Sequence, residues 1–163
     1  LPGEADTVVC AGMGGRLMQR ILTQGRDKVT GLKELILQPQ SELKTFREFL
    51  RDQGYGIVKE NMIEEEGKFY PMMKVIPPGT DYFEEVNPVF DSTQQSLYDR
   101  FGKTLLAEAH PVLYRFLKDR ERMLLQIKES IPPASLAGAA ARLEEIDSEL
   151  ADISRAFEYY RYS

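Results

Sequence analysis

The sequence predicts an α/β sheet followed by an α-helical antiparallel coiled-coil segment, and three observations carry that reading. Short apolar, β-branched runs alternate with stretches whose apolar residues recur at helical spacing, which implies right-handed crossovers and a parallel sheet. The last two strand-like runs are joined by a tight glycine turn and so add an antiparallel strand. Beyond a proline-rich stretch, apolar residues repeat every seven positions, the pattern of paired helices.

Ala5 to Ala11 ("ADTVVCA") reads as a strand buried on both faces. After Gly12-Met13-Gly14-Gly15, the residues Leu17, Met18, Ile21 and Leu22 form one face of a helix that should stop near Gly25. Lys33 to Gln38 ("KELILQ") is the second strand, ended by Pro39. Ser41 is the expected N-cap of a second helix, whose apolar face is Leu43, Phe46, Phe49 and Leu50 and which closes at Gly54-Tyr55-Gly56. Ile57 to Glu64 and Phe69 to Ile76 form the hairpin, with Gly67 in its turn, which makes a sheet of about four strands. From Pro77 ("PPGTDYFEEVNP") a linker is expected and strand signals end, so we divide the chain into 1–80 and 81–163.

Asp91 to Glu108 reads as helical. From Pro111 a long helix carries Leu113, Leu117, Leu124, Ile127 and Ile131, with Arg120 at one seam position, and Pro132-Pro133 breaks it. Leu136, Leu143, Leu150 and Phe157 then repeat by sevens, interleaved with Ile146, Ile153 and Tyr160. Two such helices fold back as an antiparallel arm, each roughly 30 Å long at 1.5 Å per residue.

The 163 residues include 26 acidic and 21 basic side chains, a net charge of −5, and 42% are hydrophobic. That balance excludes wholesale disorder and a dedicated nucleic-acid module with a large basic surface, but not an enzyme with a local basic patch. Cys10, the sole cysteine, excludes a disulfide framework and a cysteine-rich zinc site, and it reads as a small core residue. No apolar run approaches the roughly 18 residues of a membrane helix, so a cytoplasmic protein is expected. His110, the sole histidine, precedes a proline and reads as a loop or helix-start residue.

Glycines at a strand-to-helix junction let the backbone turn tightly and let a ligand approach the amides of the helix's first turn. Gly12, Gly14 and Gly15 match neither the GxGxxG dinucleotide fingerprint nor a Walker A loop, and a purely structural turn is an equal reading. Gln38, Pro39 and Gln40 should flank the same crevice at the carboxyl edge of the neighbouring strand, where amides suit a nucleobase edge; a polar loop is the alternative. After the hairpin turn, Lys68 could meet a phosphate and Phe69 or Tyr70 could stack on a base, or these are ordinary strand residues. Glu64, Glu65 and Glu66 read as a solvated turn, and no metal is expected.

Taken in order, "EADTVVCAGMGGRLMQRIL", "KELILQPQ" and "FREFLRDQGYGIVKENMIEEEGKFY" resemble the bacterial tRNA (adenine(22)-N1)-methyltransferases of the TrmK type. Motifs carry the resemblance from about Glu4 to Tyr70, and architecture alone carries it beyond. It implies a class I, S-adenosylmethionine-dependent enzyme with a Rossmann-like domain and a coiled-coil arm, methylating N1 of an adenine in tRNA. The strand at Ala5–Ala11 corresponds to the family's fourth, the next to its fifth, and the hairpin to its terminal strands. Gly12, Met13 and Gly14 then border the cofactor, and Gly15, Arg16, Gln38, Pro39, Gln40, Lys68 and Tyr70 face the substrate, with no general base identified. Pro71 stands where the family tends to carry an acid, and Gln40 where asparagine is common. The family's first three strands and their glycine loop have no counterpart here, and the chain opens at Leu1-Pro2-Gly3-Glu4. We therefore expect a C-terminal portion that lacks the cofactor-binding half.

In that reading Arg115, Lys118, Arg120, Arg122 and Lys128 are available to tRNA phosphates, or they form a solvated helix face. The reading from a different class is a non-enzymatic interaction module, in which Leu136, Leu143, Leu150 and Phe157 serve a partner.

Overall fold

The structure, a computed structural model, describes residues 5–79, 88–131 and 137–161. The chain divides into two compact units, 1–108 and 109–163.

In the first unit the order is β1 (Thr7–Met13), α1 (Gly15–Gln24), α2 (Arg26–Val29), β2 (Glu34–Pro39), α3 (Leu43–Asp52), β3 (Gly56–Glu65), β4 (Lys68–Ile76), α4 (Ser92–Phe101) and α5 (Lys103–Ala107). The sheet is mixed and four-stranded, ordered β1-β2-β4-β3. β1 and β2 are parallel, as the intervening helices require, and β4 runs antiparallel to both β2 and β3. Glu66 and Gly67 form the hairpin turn with φ of 49° and 74°, the two positive values a type I′ turn needs.

Strict alternation in β2 buries Leu35, Leu37 and Pro39 on one face and leaves Glu34, Ile36 and Gln38 half-buried on the other. Met18 and Leu22 of α1, Phe46 and Leu50 of α3, and Met73 and Val75 of β4 complete a single core on the Leu35–Leu37 face. Both crossover helices thus serve one face of the sheet. On the opposite face Ile36, Met72 and Ile76 stay half-buried and Val9 is 68% exposed.

This corrects the expectation that Ala5–Ala11 is buried on both faces. β1 is the edge strand, and of its seven residues only Cys10 and Met13 are even half-buried. Its apolar composition suits a layered sheet, yet among the described residues no element pairs with its outer edge. Ser41 is also not the N-cap of α3. That position belongs to Glu42, at φ 57° and ψ 38°, and no side chain caps the helix there.

The expected helix from Asp91 to Glu108 is two helices, broken at Gly102 with φ 94°. Asp91 caps the first, its carboxylate accepting from the Thr93 and Gln94 N–H groups. Both helices group with the sheet, so the compact boundary falls after Glu108 and not near residue 80. Most of the expected linker, residues 80–87, lies outside the described residues.

The second unit is a pair of helices, α6 (Pro111–Ser130) and α7 (Ala137–Glu158). His110 caps α6 as its position before Pro111 suggests, Nδ1 accepting the Val112 N–H. Links of Tyr114 to Phe157, Arg120 to Glu149 and Lys128 to Asp147 set the two helices antiparallel. Leu113, Leu117 and Leu124 are buried on α6, and Ile146, Ile153 and Ala156 on α7. The seven-residue series Leu143, Leu150 and Phe157 is only half-buried, one step round the helix from the buried stripe. Leu136 and Pro132-Pro133 lie outside the described residues.

Candidate active site

The carboxyl ends of β1 and β2 are adjacent and parallel, which brings the glycine turn beside Gln38-Pro39-Gln40. Gly12 is the extra residue of a bulge: Ala11 pairs with Gln38 and Met13 with Pro39, so Gly12 has no partner in the ladder. Its φ of 76° needs glycine. The Gly12 N–H donates to Gln38 Oε1 at 2.8 Å, and the Gln40 N–H donates to the Met13 carbonyl at 2.9 Å. The two motifs are therefore joined by hydrogen bonds running both ways.

The rest of the turn faces the protein. The Gly15 N–H donates to the Ser41 carbonyl at 3.2 Å, and the Arg16 N–H to Glu42 Oε2 at 3.1 Å. The Leu17 and Met18 N–H groups both donate to the Gly14 carbonyl. All four amides of the first turn thus have acceptors inside the chain, which removes the reading of this turn as an anion cradle. A Cβ at Gly15 would sit 2.7 Å from the Ser41 carbonyl oxygen, and one at Gly14 2.9 Å from Ser41 Oγ. Beside Gly12 an added Cβ would meet nothing within 4 Å. Arg16, with its side chain 86% exposed, holds Glu42 through Nε at 2.6 Å.

The register of β4 against β2 pairs Leu37 with Met73. Continued, it sets Gln38 level with Met72 and Gln40 level with Tyr70, so Lys68 and Tyr70 project past the carboxyl end of β2. By alternation Lys68 and Tyr70 share the open face with Gln38, while Pro39 is buried on the core face. Tyr70 is half-buried and Lys68 exposed. Cys10 pairs with Leu37 and packs against the core, where burial pushes its thiol up. It is therefore no thiolate nucleophile. Glu64, Glu65 and Glu66 are exposed, as a solvated turn requires.

A second polar cluster escaped the sequence reading. Arg47, buried on α3, donates through Nε to Glu60 Oε1 at 2.8 Å and through Nη1 to the Asp99 and Arg100 carbonyls at 3.0 and 3.1 Å. Arg51 reaches both Asp99 carboxylate oxygens at 2.6 Å. Gly102 lies so close to Glu60 that an added Cβ would be 2.5 Å from Oε2. These groups satisfy one another and hold α4 to α3 and β3. The signal was present: Arg47 lies four residues from Leu43, beside the apolar stripe, and Glu60 lies two residues before buried Met62, on the same face of β3.

In the second unit four of the five expected basic residues face acids, and Arg115 is exposed. Arg120 holds Glu149 at 2.6 Å, Arg122 holds Asp119 at 2.7 Å, Lys118 lies 3.8 Å from Glu121, and Lys128 pairs with Asp147. Among the described residues no group of three His, Cys, Asp or Glu side chains could hold a metal. No described helix is long and apolar enough to cross a membrane.

Comparison with known proteins fits this geometry. The family model "TrmK: tRNA (adenine(22)-N(1))-methyltransferase" matches residues 2–155. The chain belongs to this family. A tRNA (adenine(22)-N(1))-methyltransferase of Bacillus subtilis strain 168 is 45% identical over 71 residues, 44% of this chain and 30% of the relative. The crystal structure of B. subtilis TrmK superposes with a TM-score of 0.75 at 28% identity, covering 95% of this chain and 64% of that one. A Streptococcus pneumoniae protein, described as a putative tRNA (m1A22) methyltransferase, gives 0.75 at 29%, covering 93% and 61%. The same protein has been solved in complex with S-adenosyl-L-methionine, and that structure matches at 0.72. The chain thus spans less than two thirds of the relatives it matches. Its fold is the Rossmann-like α/β methyltransferase fold, here with a mixed four-stranded sheet and, among the described residues, seven helices.

Proposed function

We propose that this chain is the C-terminal part of a tRNA adenine-N1 methyltransferase, acting in the cytoplasm on position 22, with α6 and α7 as a coiled-coil arm toward the tRNA. The observation that carries the proposal is the hydrogen-bonded union of the AGMGG turn with Gln38-Pro39-Gln40 at the carboxyl edge of two parallel strands. In an open α/β sheet that edge is where ligands gather. The half-buried sheet face and the edge of β1, which pairs with no element among the described residues, support the further reading that a strand-bearing N-terminal half completes the enzyme.

S-adenosylmethionine would fit against Gly12, Met13 and Gly14, because the space beside Gly12 is open, and when bound it supplies an electrophilic methyl group. The work left to these residues is placement, since in-line displacement at adenine N1 needs alignment more than acid–base help. The Gly12 bulge sets the pocket floor, Gln38 meets the base edge, and Tyr70 and Lys68, on the same sheet face, suit stacking and a phosphate. Lys118, Arg120, Arg122 and Lys128 are engaged with acids, so their grip on tRNA rests on shape and on rearrangement of those pairs.

The test is methylation of a tRNA transcript read by primer extension. The chain alone should be inactive and bind S-adenosylmethionine more weakly than micromolar. Mixed with or fused to the N-terminal part of the B. subtilis relative, it should yield N1-methyladenosine at position 22. A complemented protein that leaves position 22 unmodified would refute the proposal.

A further inference from the structure

Resting on that reading of the site, we propose that Gln38 is a fixed hydrogen-bond donor that takes an acceptor atom of a neutral purine ring and so discriminates against the methylated product. The orientation of its amide is settled by chemistry. A backbone N–H can only donate, so the atom 2.8 Å from the Gly12 nitrogen is the carbonyl oxygen Oε1. The Nε2 amino group is therefore the end that points away from the bulge, on the open face of the sheet. Tyr70 shares that face one step further along the β2–β4 register, giving an aromatic plane beside a polar donor.

A donor at this place meets adenine through a ring nitrogen other than N1, which must stay free to accept the methyl group. Methylation at N1 leaves the ring cationic at neutral pH, and every remaining ring nitrogen becomes a poorer acceptor. The amide N–H dipole then faces a lone pair weakened by the positive charge of the ring around it. The same residue that holds the substrate base loosens the product.

The Gln38→Glu variant separates this role from scaffolding. A carboxylate accepts the Gly12 N–H at least as well as an amide does, so the bulge and the thermal stability are retained. What it loses is the donor, and what it gains is a negative charge that favours a cation. The experiment is 15N NMR titration of the chain with adenosine monophosphate and, separately, with its 1-methyl derivative, both at millimolar concentration and low salt. The parent should prefer the unmethylated nucleotide by about three- to tenfold, the range one neutral hydrogen bond supplies, with the Gln38 side-chain amide resonances moving. Gln38→Glu should reverse the preference with an unchanged melting temperature. Binding with the same preference in both proteins overturns the role of Gln38 and leaves the nucleobase reading standing. Absence of any shift at the carboxyl edge in the parent overturns the nucleobase reading itself and this inference with it.

Discussion

Replacing Arg47 by methionine tests whether the buried ion pair, and not apolar contact alone, fastens α4 to the sheet. Arg47 and Glu60 are each only 3% exposed, and the guanidinium supplies three hydrogen bonds, one to Glu60 and two to main-chain carbonyls of α4. Methionine fills similar volume but leaves a buried carboxylate whose remaining partner is the Thr104 hydroxyl at 3.4 Å. An uncompensated buried charge costs about 3–5 kcal/mol. Set against a typical domain stability of about 5–15 kcal/mol, that is a large share. Urea unfolding followed by amide hydrogen exchange in β3 and α3 reports this unit by itself. Arg47→Met should fall by about 3–5 kcal/mol. The double variant with Glu60→Met, which removes the stranded charge, should lie within about 2 kcal/mol of the parent, roughly 1 for each abandoned carbonyl. Additive losses in the double variant, or a loss below about 1 kcal/mol in the single one, would refute the reasoning.

Three further outcomes follow from the geometry. Gly15→Ala should destabilise by about 1–3 kcal/mol, because its Cβ would strike the Ser41 carbonyl oxygen at 2.7 Å, whereas Gly12→Ala should cost only its backbone strain, about 1–2 kcal/mol; thermal melts that rank the two the other way count against the assignment. Val9 is 68% exposed on an edge that no described element pairs, so the chain should self-associate as its concentration rises, and Val9→Lys should suppress this in sedimentation velocity; a parent that stays monomeric at high concentration contradicts the edge-strand picture. Burial pushes the Tyr160 hydroxyl, which donates to the His110 carbonyl at 3.0 Å, up to about 12 from an ordinary value of about 10. Its contribution is complete below about pH 10 and lost as pH climbs toward 12, on the order of 1 kcal/mol once its partial exposure is discounted, and Tyr160→Phe should abolish that alkaline loss in helix melts.

Apart from the four-residue α2, the order of strands and helices through Ile76 was legible because each element carries a local signal. The period of Leu35 and Leu37, the stripe of Phe46 and Leu50, and the glycine of the hairpin turn need no knowledge of distant residues. What escaped depends on partners far along the chain. Ser41 looked like an N-cap, but its carbonyl serves the start of α1, and Glu42 reaches the same helix end from a left-handed conformation. The seven-residue leucine series suggested the seam, yet Ile146 and Ile153 are the buried residues of α7, because only the partner helix decides which neighbouring stripe faces inward. β1 shows a subtler limit: composition records what a strand is suited to bury against, and the exposure of Val8 and Val9 depends on whether that layer is there.

The glycines of the β1–α1 turn divide by direction, and that division narrows what the site can be. Gly14 and Gly15 are small because Ser41 presses on them from within, and the helix amides behind them are already used by Ser41, Glu42 and Gly14. Gly12 is glycine because of its positive φ, and its outward side is open. A phosphate-binding turn needs the reverse arrangement, with free amides and glycines crowded by the ligand. What remains facing outward is one open backbone position, one amide side chain oriented by it, and Tyr70 and Lys68 on the same sheet face. The turn itself has little to offer an anion, and the surface around Gln38 has the right shape and polarity for a flat, neutral, acceptor-bearing ring, with Lys68 left to meet a phosphate beside it.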